Sequence, residues 1–401
     1  MAVAAIAVIA SMVVWRVNAR HPQEPPPRVV WTSVLVPAGR PVPFSFLLVG
    51  NGGRIYFGEY ASGLTRILDS AGRVFSEKVI IPANRTMSRE PFVGGDGKVY
   101  VPLQDSNGND RIGELLSDGS IVHERKIWSA PVGTGVAADK MGCFYFVGNP
   151  PALSHCFSIA KYDNVGRMLW TQTPRVSGHG LAGPVACSRM ALDRTGEAYV
   201  IGVVVYSGIS GFIAKVDSTG RERWVVPVAF SNGVEPCSVA ADGNRGAYVA
   251  GGVDSEQPDD STSGSLWTRI VRAFSNFGIN RRLRASGPQD SFVAKFDGSG
   301  NQEWFHQEST PEEDAARVIA VDGKGCVFIA GPKRTGTGSD WDGLFAAKYD
   351  PDGRLLWRTR VDMPPGVEVQ GISVDNKGGI YVCGTFGSPE RCFLVKMQER
   401  K

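Results

Sequence analysis

Two tight turns of the form Asp-x-x-Gly, each between short β-patterned runs, make up a unit that recurs along this chain. The clearest copy reads ARVIAVDGKGCVFIAG, then a variable loop, then GLFAAKYDPDGRLLWRTRV. Its turns run from Asp322 to Gly325 and from Asp350 to Gly353. Val318, Ile319, Val327, Phe328 and Ile329 are the β-branched and aromatic residues that suit a pleated strand. Asp bonds its own backbone two residues on, and Gly accepts positive φ, so this turn closes a hairpin at little cost. One unit is therefore a four-stranded antiparallel meander.

Aligned on the first turn, the chain holds seven copies, at Gly53, Gly97, Gly142, Gly196, Arg245 in the Gly slot, Gly325 and Gly378. The second turn recurs at Gly72, Gly119, Gly166, Gly220, Gly300 and Gly353. Trp170, Trp224, Trp304 and Trp357 follow the last four of these at one offset, where the first two copies have Ser76 and His123. A period of about 45–55 residues is the size of a propeller blade. The seventh copy lacks its Trp-bearing fourth strand, whereas RVVWTSVLV at Arg28–Val36 resembles RLLWRTRV at Arg354–Val361. The expectation is an all-β, seven-bladed β-propeller of four-stranded antiparallel blades, its N-terminal strand closing the last blade. Trp31 then lies on the outermost strand of the blade that holds Ile380 and Phe393. An open stack of meanders is the other arrangement such repeats allow.

The segment DSFVAKFDGSGNQEW, followed by AARVIAVDGKGCVFIAG, resembles the SBBP-type β-propeller repeats of bacterial extracytoplasmic proteins, and more loosely NHL repeats. The likeness spans Arg28 to Lys401 and is strongest over Ser291–Gly384. It implies a propeller, usually exported and mostly without catalysis. The repeat motif is structural, so the resemblance carries over no functional residue.

Ahead of the repeats, Met1–Trp15 is an unbroken apolar run. It is short of the roughly 17–25 residues of a spanning helix and fits a secretory core, with Val17-Asn18-Ala19 as a cleavage-like site. Arg16 and Arg20 follow the run and no Lys or Arg precedes it, which is the reverse of the usual charge order. Residues 1–20 are read as a hydrophobic N-terminal helix, serving as signal peptide or membrane anchor; burial in the fold is the alternative. Residues 21–27 are read as a stiff Pro-rich linker. An extracytoplasmic location follows from this reading. Net charge is +3 over 401 residues, so no nucleic-acid role follows. The seven Cys show no metal spacing. Cys383 and Cys392 flank one hairpin loop, Cys187 and Cys237 precede neighbouring inner strands, and pairing of either couple is open.

In such a blade the two tight turns share one face, and the variable connections share the other. Binding sites arise on variable loops of a rigid scaffold. One loop, Val253–Asp290, is far longer than the rest. Within it Leu266, Trp267, Ile270, Val271 and Phe274 have helical spacing, with Arg269 and Arg272 on another side and Arg281, Arg282 and Arg284 beyond. A basic amphipathic helix either docks on a membrane or partner, or packs its apolar stripe on its own propeller. A second candidate is the channel mouth, where the innermost strands bring in Ser45, Arg89, Thr134, Ser188, Cys237, Arg317 and Gln370. Such a polar ring holds either water or a small anionic ligand.

Catalytic signals are sparse. The turn aspartates recur at one hairpin slot, which is turn chemistry. Asp105–Asp110 spaces oxygens like the start of an EF-hand, but it lacks the Gly at position six, and Leu116 stands where the bidentate Glu belongs. His21, His123, His155, His179 and His306 have no ligand spacing. No metal and no cofactor is expected. The reading is an exported or membrane-anchored non-catalytic scaffold that docks a protein or glycan on its variable-loop face. The alternative is a lyase or hydrolase of sugars or lactones at the channel mouth, with Glu235, Glu313, Asp314 and Glu368 as the nearest acids.

Overall fold

The computed structural model describes residues 24–35, 45–50, 53–59, 63–82, 84–127, 131, 135–149, 155–176, 181, 183–205, 209–228, 233–243, 246–254, 289–308, 313–334, 341–387 and 391–400. The apolar N-terminal run, the stretch holding Trp267, Arg269, Ile270, Arg272, Phe274, Arg281, Arg282 and Arg284, and Thr134 lie outside the described residues. Among the described residues no helix is long and apolar enough to cross a membrane.

Seven antiparallel sheets form the blades, each a meander with strands lettered a to d from the centre outward. Blade 1 comprises Ser45–Val49, Ile55–Glu59, Leu64–Leu68 and Val74–Val79. Blade 2 has a broken strand a, Arg85–Met87 and Phe92–Val93, then Val99–Asp105, Asp110–Leu115 and Ile121–Lys126. Blade 3 is Gly135–Ala138, Phe144–Gly148, Ser158–Tyr162 and Met168–Gln172. Blade 4 is Val185–Leu192, Ala198–Val205, Ile209–Val216 and Glu222–Pro227. In blade 5 the strands are Val234–Ala241, Ala247–Asp254, Gln289–Phe296 and Gln302–Glu308. Blade 6 again has a broken strand a, Glu313–Asp314 and Val318–Val321, followed by Val327–Arg334, Gly343–Tyr349 and Leu355–Asp362. Blade 7 takes Glu368–Val374, Gly379–Phe386 and Arg391–Gln398 from the C-terminal region and Arg28–Leu35 as its strand d.

That last pairing is the closure expected from sequence. Trp31 sits opposite Lys396, and Val34 opposite Phe393. The a strands touch their neighbours in ring order, including blade 7 against blade 1, so the ring is shut. Closure leaves no blade face unpacked, which is what a propeller needs.

Strands b and c are buried on both sides, which explains their continuous apolar runs: Phe144–Gly148 and Gly343–Tyr349 are buried throughout. Outer strands such as Val74–Val79 and Met168–Gln172 are mostly exposed and mixed in character. The core lies in the seams between blades. One seam joins Phe328 and Trp357 of blade 6 to Val369, Ile380 and Met397 of blade 7; another joins Leu35 and Tyr381 of blade 7 to Leu47 and Phe57 of blade 1. Burying each such side chain contributes about 1.5–3 kcal/mol.

The turns behave as their chemistry dictates. The Gly353 N–H donates to the Asp350 carbonyl at 3.0 Å, and the Asp350 N–H to the Arg354 carbonyl at 2.9 Å. The N–H groups of Asp352 and Arg354 donate to Asp350 Oδ1 at 3.1 and 2.8 Å. Asp105 is used in the same way, accepting from Asn107, Asn109 and Arg111, and these bonds hold its carboxyl down at about 2. In blade 5 Gly243, directly after the turn Asp242, has a positive φ, and Arg245, at the aligned position, lies outside the described residues.

Blades 3 to 7 also carry a polar lock that the sequence reading missed in part. Lys161, Lys215, Lys295, Lys348 and Lys396 occupy one slot on strand c. Each ammonium lies 4.7–5.6 Å from the centroid of the strand b aromatic, namely Tyr145, Tyr199, Tyr248, Phe328 and Tyr381. Lys215 Nζ and Trp224 Nε1 both donate to the Gly298 carbonyl of the next blade, at 3.3 and 3.1 Å. Lys295 and Trp304 donate likewise to the Pro351 carbonyl, both at 3.2 Å. Lys348 and Trp357 both reach Glu399 Oε1, at 2.7 and 3.1 Å. Beneath Trp31, Trp170 and Trp224 sits the turn glycine of the following blade: a Cβ added at Gly72, Gly220 or Gly300 would come within 2.8 or 2.9 Å of the indole. All seven cysteines are free, so the fold is held without disulfides.

Candidate functional site

The innermost strands do not run straight into the channel. Strand a bulges by one residue at Ser188, Cys237 and Gln370, where the pairing register skips. In blades 2 and 6 the same interruption, at Arg89 and Arg317, breaks the strand in two. An extra residue in one strand bends it and re-aims the side chains that follow. Strand b permits this because it carries a glycine opposite the bulge. A Cβ at Gly202, Gly251, Gly331 or Gly384 would lie 1.8–2.3 Å from the carbonyl oxygen of Ala186, Glu235, Ala315 or Glu368.

The bulge moves the channel lining one residue along from the expected slot. A cavity of about 360 Å³ is lined by Phe46, Glu90, Arg189, Ser238, Val318 and Gly371, each immediately after a slot residue, together with Gln370. The slot residues themselves mostly turn inward to the protein. Ser45, Arg89 and Ser188 are buried. Arg89 donates to Asp110 Oδ1 at 3.3 Å and to the Pro131 carbonyl at 3.1 Å, and lies over the Phe146 ring at 4.9 Å. Its charge is committed to the seam between blades 2 and 3. Ser188 donates to the Ile201 carbonyl. The Ser45 hydroxyl donates to Gln370 Oε1 at 2.8 Å, joining blade 1 to blade 7.

Two charged residues line the channel cavity. Arg189 of blade 4 reaches past blade 3 to hold both oxygens of Glu90 in blade 2, at 3.0 and 3.4 Å. Glu90 raises the Arg189 pKa. This pair is about 40 % exposed on each side (41 % and 43 %), so water competes with it. Neither residue was singled out from the sequence, because the bulge that exposes them is not visible in the turn alignment. Arg317 of blade 6 is half-buried and directly precedes Val318 of the lining. Its guanidinium donates to Cys237 Sγ of blade 5 at 3.3 Å. Among the described residues no carboxylate lies within 4.0 Å of it. Burial opposes its charge, but Cys237, Glu235 and Glu368 together outweigh burial and raise its pKa. Burial pushes the Cys237 thiol up, with Arg317 pulling the other way. Arg317 therefore faces a neutral thiol at neutral pH.

Of the acidic residues named from sequence, the Glu313 side chain lies outside the described ones, and the other three separate into two groups. Asp314 is fully buried and belongs to the seam between blades 5 and 6. It accepts from the Ser291 N–H at 3.0 Å and pairs with Arg358, which also holds Glu308 at 2.9 Å. Glu235 and Glu368 are half-buried and act on Arg317 electrostatically. Among the described residues no group of three or more His, Cys, Asp or Glu side chains could hold a metal ion. His306 on the outer strand of blade 5 lies 5.2 Å from the Trp304 ring and stacks on Tyr349 of blade 6, 6.2 Å away, and His155 is exposed.

No family model matches this chain, so the likeness to SBBP-type repeats stands on the quoted segments alone. One curated relative, an uncharacterized WD repeat-containing protein of Acanthamoeba polyphaga mimivirus, is 22 % identical over 192 residues. That match covers 42 % of this chain and only 14 % of the relative's length. Among solved structures, streptogramin B lyase superposes with a TM-score of 0.54 at 12 % identity, covering 92 % of this chain and 98 % of that one. A catalytically inactive virginiamycin B lyase from Staphylococcus aureus, solved with quinupristin, gives 0.54 at 10 % identity, covering 91 % and 98 %. At such identities the likeness is one of fold.

Proposed function

We propose that this propeller is a binding scaffold that receives its ligand or partner at the variable-loop end of the channel. The observation that supports this most is the make-up of the channel lining. It sets Glu90, Arg189, Ser238 and Gln370, from four different blades, among apolar side chains such as Phe46, Phe92, Val318 and Ile372, around a cavity of about 360 Å³. A pocket of that size is within the usual range for small ligands, roughly 300–1,000 Å³. The exposed Glu90–Arg189 pair offers both signs of charge to an incoming molecule.

A thermal-shift screen of the full chain against glycans, peptides and small anions tests the reading. A ligand that raises the midpoint in native protein, and fails to do so in Arg189→Ala, is the expected result. Retention of the full shift in that variant would place binding elsewhere. A catalytic reading, as a lyase or hydrolase, draws on the lyases that share the fold. Turnover of any screened ligand into a new product, followed by chromatography, would favour it over binding alone.

The same proposal takes Met1–Trp15 as an export signal or membrane anchor, with the propeller outside the cytoplasm, and the basic stretch around Trp267 as a partner or membrane contact. Fractionation of cells that express the tagged chain tests the first part. Recovery only in the cytosolic fraction would overturn it.

A further inference from the structure

We infer that the channel mouth between blades 4, 5 and 6 is an oxyanion site, in which Arg317 takes a carboxylate or phosphate group of a small ligand in place of the Cys237 sulfur. This rests on the binding reading above and names its ligand chemistry.

Four observations carry it. First, Arg317 is half-buried beside the channel, and its hydrogen bond goes to a thiol, a weak acceptor, at 3.3 Å. A guanidinium presents five donors in a fork that matches two oxygens of a carboxylate or phosphate. Among the described residues none supplies such a pair of oxygens. Second, the neighbouring Arg189 already holds a carboxylate through two nitrogens, that of Glu90, in the same channel. The surroundings therefore suit the kind of contact proposed for Arg317. Third, the cavity lies close by: Ser238 and Val318, the residues after Cys237 and Arg317, line it, and Arg317 and Cys237 are themselves only half-buried. Fourth, the backbone is built to hold Arg317 here. The Arg317 N–H donates to the Ala330 carbonyl at 2.9 Å, and Gly331 lets the Ala315 carbonyl approach closely.

Glu235 and Glu368 add a selection rule. Both act on Arg317 without bonding it. Their negative charge opposes a compact multiply charged anion and favours a ligand with one oxyanion group flanked by donors. A small monocarboxylate with an amine or hydroxyl beside it fits better than a tricarboxylate.

Titration calorimetry on the full chain at fixed ionic strength gives the test, with acetate, glycine, inorganic phosphate and citrate as probes and chloride as the control. At least one of the first three should bind saturably in the native protein, with citrate weaker than glycine. Arg317→Ala should lose that binding by about tenfold or more, the loss expected for a charge-assisted contact. Arg317→Lys should recover only part of it, because an ammonium lacks the fork. Cys237→Ala removes the competing acceptor and should tighten binding or leave it unchanged. Arg354→Gln, on the turn face, should bind as the native chain does. Thermal midpoints of all variants show whether each is folded. Absence of saturable binding at tens of millimolar, or equal affinity in folded Arg317→Ala, would overturn the oxyanion site. Should a ligand from the loop-face screen still bind folded Arg317→Ala, the scaffold reading survives while this inference falls.

Discussion

At the rim, Lys215 and Trp224 of blade 4 make toward blade 5 the same two hydrogen bonds that Lys295 and Trp304 of blade 5 make toward blade 6. At the channel, no two neighbouring blades present the same residue at the bulge: Ser188 is followed by Cys237, Arg317 and Gln370. The rim repeats its side chains because blades 4 and 5 pose the same packing problem to their neighbours. The bulge slots vary because each blade uses its own differently: Arg89 bonds Asp110, Ser188 the Ile201 carbonyl, and Ser45 the Gln370 side chain. Repeated positions in this chain therefore report stability, and unrepeated ones on the repeated frame are where function has room to differ.

The largest expected effect comes from removing a rim anchor. Trp357→Ala empties a fully buried site between blades 6 and 7. Urea unfolding should show a loss of about 3–5 kcal/mol. Next comes the glycine beneath an indole. Gly300 has φ +88° and a Cβ there would sit 2.8 Å from Trp224, whereas a Cβ at Gly323 meets nothing within 4 Å. Gly300→Ala should cost about 2–4 kcal/mol by strain and overpacking together, and Gly323→Ala close to nothing. Equal costs at the two glycines would break the claim that the rim is set by close contact.

The buried tyrosines of strands b and c supply a third test. Burial raises the pKa of Tyr100, Tyr145, Tyr199, Tyr248 and Tyr381, and brings Tyr162 up to about 12. A raised folded-state pKa means that stability is complete below the unfolded value, near 10, and is lost as pH rises through the folded one. Tyr162 alone should cost about 2 kcal/mol by pH 12. Equilibrium unfolding between pH 9 and 12 should show the decline begin near 10, and a flat profile would mean that these rings are solvated. The smallest effect belongs to the channel. Glu90→Gln should change stability by less than about 1 kcal/mol, since the ion pair it breaks is exposed. A loss as large as that of Trp357→Ala would erase the distinction between rim and channel.

Much of the ring was legible in the chain. The turn aspartates and glycines marked every hairpin, and Trp31 in RVVWTSVLV marked the strand that completes blade 7. The channel was only half legible. Alternation counted back from the turn Asp leads to Arg89 and Arg317, but the bulge shifts the lining to Glu90, Arg189 and Ser238. A signal for the bulge was present in the glycine that ends YVIG, YVAG, FIAG and YVCG. It marks where a carbonyl of strand a presses against strand b, a contact that no local pattern in strand a announces. The strand c lysines were hidden for another reason. A lysine among apolar residues reads as exposed until the next blade's carbonyl and the ring beneath it are in view.

The closing seam departs from those of blades 4 and 5. Where blade 7 meets blade 1, Lys396 reaches the Ser70 carbonyl, but Trp31 Nε1 is buried without a hydrogen-bond partner. Arg66 compensates by donating to Ser33 Oγ at 2.8 Å and to the Val34 carbonyl at 3.1 Å. Hydrogen exchange of the intact chain probes this seam directly, by comparing the amides of Arg28–Leu35 with those of Arg391–Gln398. If the two ends of the chain share one sheet, both sets should be protected together and open only with the whole ring. Exchange of the Arg28–Leu35 amides within seconds, while Arg391–Gln398 stays protected, would contradict a ring closed by its N-terminal strand.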